Sequence, residues 1–142
     1  MTIIVKKVTQ MLAGIIFLYG LYITIFGHLT PGGGFAGGII IAGAFILLIL
    51  AYGSAALKLK RNMERAKTLE SLMVMLFLLI AMAGLLIGAR VFFKNFLPVG
   101  TAGELMSAGL IPLYNILVGA KVAAAILSIF LMLCVYKNEV SK

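Results

Sequence analysis

The sequence contains no aspartate, a single histidine, a single cysteine and three prolines in 142 residues, and its four acids are all glutamates: Glu64, Glu70, Glu104 and Glu139. Without aspartate there is no Ser-His-Asp set. One cysteine, Cys134, makes neither an internal disulfide nor a multi-ligand metal site, and reads as a small buried hydrophobe. No His/Cys/carboxylate cluster has metal-ligand spacing. Catalytic residues, metal ligands and cofactors are therefore expected to be none, and the chain by itself is not expected to be an enzyme. Charge is also absent from a long stretch. Between Val8 and Leu57 there is no Asp, Glu, Lys or Arg.

What is present is apolar. Hydrophobic residues make up 63% of the chain and charged residues 11%, against roughly half and a quarter in a soluble domain. A helix that crosses a bilayer needs roughly 20 apolar residues, and four windows meet that requirement: about 8–26, 35–57, 69–93 and 112–136. The expected fold is all-α, an integral membrane protein of four transmembrane helices, with residues 1–142 as a single transmembrane domain. The short connections leave no room for a separate soluble domain. The first window follows a basic start, as a signal peptide would, but it is too long for an h-region and has no small-x-small cleavage site, so it is expected to stay.

The net charge of +8 is informative through its distribution. Lys6, Lys7, Lys58, Lys60, Arg61, Arg65, Lys67, Lys137 and Lys142 fall on one side of four alternating helices, and Arg90 and Lys94 on the other. The positive-inside bias then places the N and C termini and the 58–67 connection in the cytoplasm. These cations are orientation signals or contacts to anionic membrane lipid, and no nucleic acid is expected as a partner. The localisation implied is the cell membrane, as a multi-pass protein.

The uncharged run is interrupted at one place, HLTPGGGFAGG, from His28 to Gly38. Pro31 lacks a backbone donor, and Gly32, Gly33 and Gly34 tolerate positive φ, so this structural loop ends one helix and opens the next. His28 and Thr30 add polar groups where an ion or proton could be handled, histidine being the side chain that changes charge near neutral pH. Gly32, Gly34 and Gly37 also satisfy G-x-G-x-x-G, but that fingerprint requires a preceding strand and an acid about twenty residues later. Neither is there. Gly33 with Gly37 and Gly34 with Gly38 form small-xxx-small pairs that let another helix approach closely, and Gly84 with Gly88 repeats the pattern in the third span. Glu70 and Arg90 stand at the two boundaries of that span, where both can reach the head groups.

Lys121 carries the sharpest constraint. It lies about 14 Å into the fourth span, beyond the reach of snorkelling, and a charge there requires a partner, a cavity or a lost proton. No acid of this chain is expected at that depth: Glu70 is assigned to the cytoplasmic boundary and Glu104 to the outer loop. The partner is thus expected to be another subunit or water. Lys121, His28, Thr30 and Glu104 form the candidate ion or proton route.

With GHLTPGGGFAGG at Gly27 to Gly38 and SAGLIPLYNILVGAKVAAAI at Ser107 to Ile126, the chain resembles the MnhB-type family, small membrane subunits of multi-subunit Mrp-type sodium/proton antiporters. The resemblance implies a noncatalytic membrane subunit of a cation/proton translocating complex, with other membrane subunits as partners and Na+ and H+ as the transported ions. It extends to the equivalent small subunit of membrane-bound hydrogenase and related respiratory complexes, where redox energy drives ion movement. His28, Pro31, Gly32, Gly33, Gly34 and Lys121 match the family's pattern. Ala36 departs from it, standing where Gln is expected in many members, and so removes a polar ligand from the loop. The alternative is a purely structural subunit that packs and seals larger transporter chains. A self-contained four-helix multidrug carrier is disfavoured, because it needs a membrane-embedded acid in an early helix.

Overall fold

The computed structural model describes residues 2–53, 59–86, 91–101, 103–104 and 107–140. Among them are four α-helices and no strand: α1 Ile3–Ile25, α2 Gly33–Tyr52, α3 Leu59–Leu86 and α4 Ile111–Val140. All four are long and apolar enough to cross a membrane, the spanning parts being Ile3–Ile25, Gly33–Tyr52, Asn62–Leu86 and Ile111–Lys137.

The helices pack side by side in the order α1, α2, α4, α3, and α1 also touches α4. Each uncapped helix end must be closed by a turn. After α1 the amide of Phe26 bonds to the Tyr22 carbonyl at 2.9 Å, and those of Leu29 and Thr30 then fold back onto the Phe26 carbonyl. Gly32, at φ 120°, precedes the first residue of α2, a backbone that an L side chain rarely adopts. The hairpin expected at Pro31–Gly34 is the one observed. Its opposite end is tied by Lys6, whose Nζ lies 5.7 Å from the Tyr52 ring centre, and by the Tyr52 hydroxyl, 3.4 Å from Gln10 Oε1.

Small residues bring the helices together. The buried apolar residues are mostly alanines, including Ala13, Ala42, Ala44, Ala51, Ala81 and Ala124, and Leu131 is the one large side chain fully enclosed among the described residues. Cys134 is a free thiol packed against Ile49 and Leu131. In lipid there is no hydrophobic drive between helices, so close backbone approach and dispersion must hold them. The large apolar side chains point outward, with Leu18 66% and Leu86 86% exposed, the surface expected of a chain covered by lipid or by neighbouring subunits.

The α2 glycines divide between two partners. A Cβ on Gly37 would strike the Thr24 hydroxyl and the Gly20 carbonyl of α1, whereas one on Gly34 or Gly38 would strike the Asn115 or Gly119 backbone of α4. Thr24 turns its hydroxyl inward and donates to the Gly20 carbonyl at 2.8 Å, so the buried oxygen at this crossing is satisfied within α1. Gly84 meets Val91 and Lys94 of the following turn, and its expected pairing partner Gly88, like Arg90, lies outside the described residues.

Candidate functional site

Two polar positions stand out against this apolar frame, one in the α3–α4 seam and one at the α1–α2 turn. In the seam, Lys121 Nζ lies 3.7 Å from Glu70 Oε1. This corrects the expectation that no acid of the chain reaches Lys121. The sequence reading opened the third span at Leu69, which puts Glu70 at a boundary. The helix instead begins at Leu59, so Glu70 lies eleven residues, about 16 Å, along it rather than at its start. Lys121 stands ten residues, about 15 Å, past the start of α4. Because α3 and α4 are antiparallel neighbours, their stagger sets the two charges side by side. Both side chains keep an open flank, 41% exposed for Lys121 and 31% for Glu70.

Beside the pair is a small cavity of about 180 Å³ lined by Met73, Val74, Phe77, Leu117, Val118 and Lys121. Its lining residue Phe77 belongs to a cluster of three rings, with Phe77 and Tyr114 centred 4.9 Å apart and Phe93 and Tyr114 5.5 Å apart. Phe93 is held over the end of α3 by its amide, which bonds to the Ala81 carbonyl. The Tyr114 hydroxyl is buried with no hydrogen-bond partner among the described residues. An unsatisfied buried hydroxyl costs about 1–3 kcal/mol. Tyr114→Phe is therefore expected to leave the purified chain at least as stable, with a gain of up to about 1 kcal/mol, measured by thermal unfolding in detergent.

At the turn, His28 Nε2 lies 3.4 Å from the backbone carbonyl of Glu104, and its Nδ1 is buried without a partner among the described residues. The Glu104 carboxylate is not part of that contact. Its side chain is exposed, while its carbonyl also receives the Ser107 hydroxyl at 2.6 Å. Thr30 donates to the Phe26 carbonyl at 3.0 Å and so closes its own turn. The amide of Gly34 makes a long contact, 3.5 Å, to Asn115 Oδ1. Of the four residues singled out from sequence, the structure joins His28 with Glu104 through the latter's backbone, joins Lys121 with Glu70, and gives Thr30 a local partner. The sequence places Glu70 at a boundary rather than beside Lys121, and it does not single out Asn115. Glu70 was readable only from the full length of α3, and Asn115, within SAGLIPLYNILVGAK, from its place four residues before Gly119 on the same helix face.

Four spanning helices, a core of small residues and, among the described residues, one ion pair between two of those helices define a multi-pass membrane protein. Residues 4–128 match the family model described as a domain related to the MnhB subunit of Na+/H+ antiporter, and the chain belongs to that family. It is 36% identical over 140 residues to an uncharacterized protein of Methanocaldococcus jannaschii, covering 94% of this chain and 53% of that protein. With a Na(+)/H(+) antiporter subunit of Bacillus subtilis it shares 36% identity over 85 residues, covering 60% of this chain and 51% of that protein. A chain of the membrane-bound sulfane sulfur reductase, an archaeal respiratory membrane complex, superimposes with a TM-score of 0.73 at 34% identity, covering 93% of this chain and 58% of that one. The chain thus spans about half the length of the curated relatives it matches.

Proposed function

We propose that this protein is a noncatalytic membrane subunit of a multi-subunit cation/proton translocating complex, in which the Glu70–Lys121 pair forms part of the route. Its host is an Mrp-type antiporter or a related respiratory complex, its partners are the other membrane subunits, and the ions are Na+ and H+. The observation that carries the reading is the 3.7 Å approach of the Glu70 carboxylate to an ammonium about 15 Å along the apolar helix α4. Bare charges at that depth are costly and mark ion or proton pathways. A monovalent cation and the Lys121 ammonium compete for the one carboxylate. Arrival of the cation at Glu70 with departure of a proton from Lys121 keeps the local charge constant, which is the balance an exchanger requires. The His28 imidazole, with one buried nitrogen free of partners among the described residues, would pass protons at the other polar position. The basic 58–67 connection supports an orientation with both termini in the cytoplasm.

The test is sodium-dependent proton exchange by the assembled complex reconstituted in vesicles. Glu70→Gln and Lys121→Met are each expected to lower exchange more than tenfold while the complex still assembles. Full exchange in both would move the route to other chains. The second reading, a subunit that only packs and seals its neighbours, is favoured by the glycine contacts of α2 with α1 and α4. It predicts that these same variants act through assembly alone.

A further inference from the structure

The flank of α4 opposite the ion pair forms the floor of an apolar groove of about 710 Å³ bounded by all four helices. Ala120, Ala123 and Ala124 lie along the floor, and Phe17 and Phe45 form one wall, their rings edge-to-face with centres 5.7 Å apart. The α4 lining runs from Ile116 to Leu131, about 22 Å along the helix. The register set by Glu70 and Lys121 places Arg65 and Asn62 of α3 in the half of the groove toward Leu131, with Asn62 nearer its end. Arg65 lines the groove there, is exposed, and makes no ion pair among the described residues, its neighbour Glu64 included. The groove is thus apolar along its length and cationic in that half. Lys67, also exposed, adds positive charge at that end of α3.

From this arrangement we infer that the groove is a binding site for an anionic phospholipid, with an acyl chain lying on the α4 alanines and the phosphate at Arg65 and Asn62. A transmembrane helix from another subunit would fill the trough but would leave the guanidinium facing apolar side chains unless it brought its own acid. A phospholipid supplies both halves of the match in one molecule. The site is independent of the transport reading, since it shares no residue with the Glu70–Lys121 pair.

The test is native mass spectrometry of the purified, delipidated full chain given equal amounts of phosphatidylglycerol and phosphatidylcholine. The wild type is expected to retain the anionic lipid about fivefold over the zwitterionic one, the effect of one cation beside a headgroup of net negative charge rather than one whose phosphate is offset by its own choline ammonium. Arg65→Gln should erase that preference and Arg65→Lys should keep most of it. Ala120→Leu, which narrows the floor, should weaken retention of both lipids. Equal retention of the two lipids by the wild type, or an unchanged preference in Arg65→Gln, overturns the proposal. In membranes, a photoreactive benzophenone side chain at Ala120 should capture lipid, and capture of a polypeptide would assign the groove to a partner helix.

Discussion

Gly34→Leu is expected to prevent recovery of folded protein. A Cβ at this position would sit inside contact distance of the Asn115 carbonyl group, and the obstacle is the backbone of α4, which cannot rotate aside as a side chain can. Overpacking against yielding side chains costs about 1–3 kcal/mol, so a backbone obstacle places this substitution above that range. The two helices would have to separate, and with them the Gly38–Gly119 contact one turn further along. Gly43 provides the control, because nothing lies within 4 Å of a Cβ built there. Gly43→Ala should be neutral or stabilising by up to about 1 kcal/mol from helix propensity alone. The measurement is the monodisperse yield and unfolding temperature of each variant in detergent. Similar losses in both variants would mean that the α2–α4 crossing is not what holds these helices together.

Removing one member of the ion pair should have the next largest effect. Lys121→Met leaves the Glu70 carboxylate alone within the span. Breaking a fully buried pair costs about 3–5 kcal/mol and an exposed one at most about 1 kcal/mol, and with both side chains partly open about 1–3 kcal/mol is expected. The double variant Glu70→Gln with Lys121→Met removes both charges and should recover most of that stability, since two neutral groups no longer need each other. Exchange activity should not recover with it. A non-additive return of stability, read as a double-mutant cycle, together with persistent loss of exchange, separates a pair that participates in transport from one that only fastens α3 to α4. A double variant that exchanged at the wild-type rate would assign the pair to architecture.

The glycine seam and the ion pair explain why the sequence was informative to different depths at different places. HLTPGGGFAGG was readable as a helix break, because proline and glycine act through local backbone conformation, and α2 does begin at Gly33 after Gly32 at φ 120°. The close approach of helices at Gly34, Gly37 and Gly38 was readable as a spacing, but not which partner each glycine meets. That depends on α2 lying between α1 and α4, an arrangement of elements far apart in the chain. Pro112 was placed in the first turn of the fourth helix and is found there, again a local effect. Glu104 was read as a polar side chain in the outer loop, whereas it is the carbonyl of that residue that meets His28, and backbone groups carry no signature in the residue identity.

Composition and local pattern alone determined that this is an all-α membrane protein of four spanning helices, because bilayer thickness and obligatory backbone hydrogen bonding leave few other solutions for runs of this length and polarity. The motifs alone pointed to the MnhB family. Tertiary structure decided where the charges meet. Lys121 was recognisable as a lysine too deep to stand alone, but its partner depended on how far α3 extends upstream and on the stagger of two antiparallel helices joined by a long connection. A one-turn slide of α3 along α4, about 5.4 Å, would separate Glu70 from Lys121, and nothing in the spacing of either helix forbids it. The packing of α4 between α2 and α3 sets that register, and with it the site.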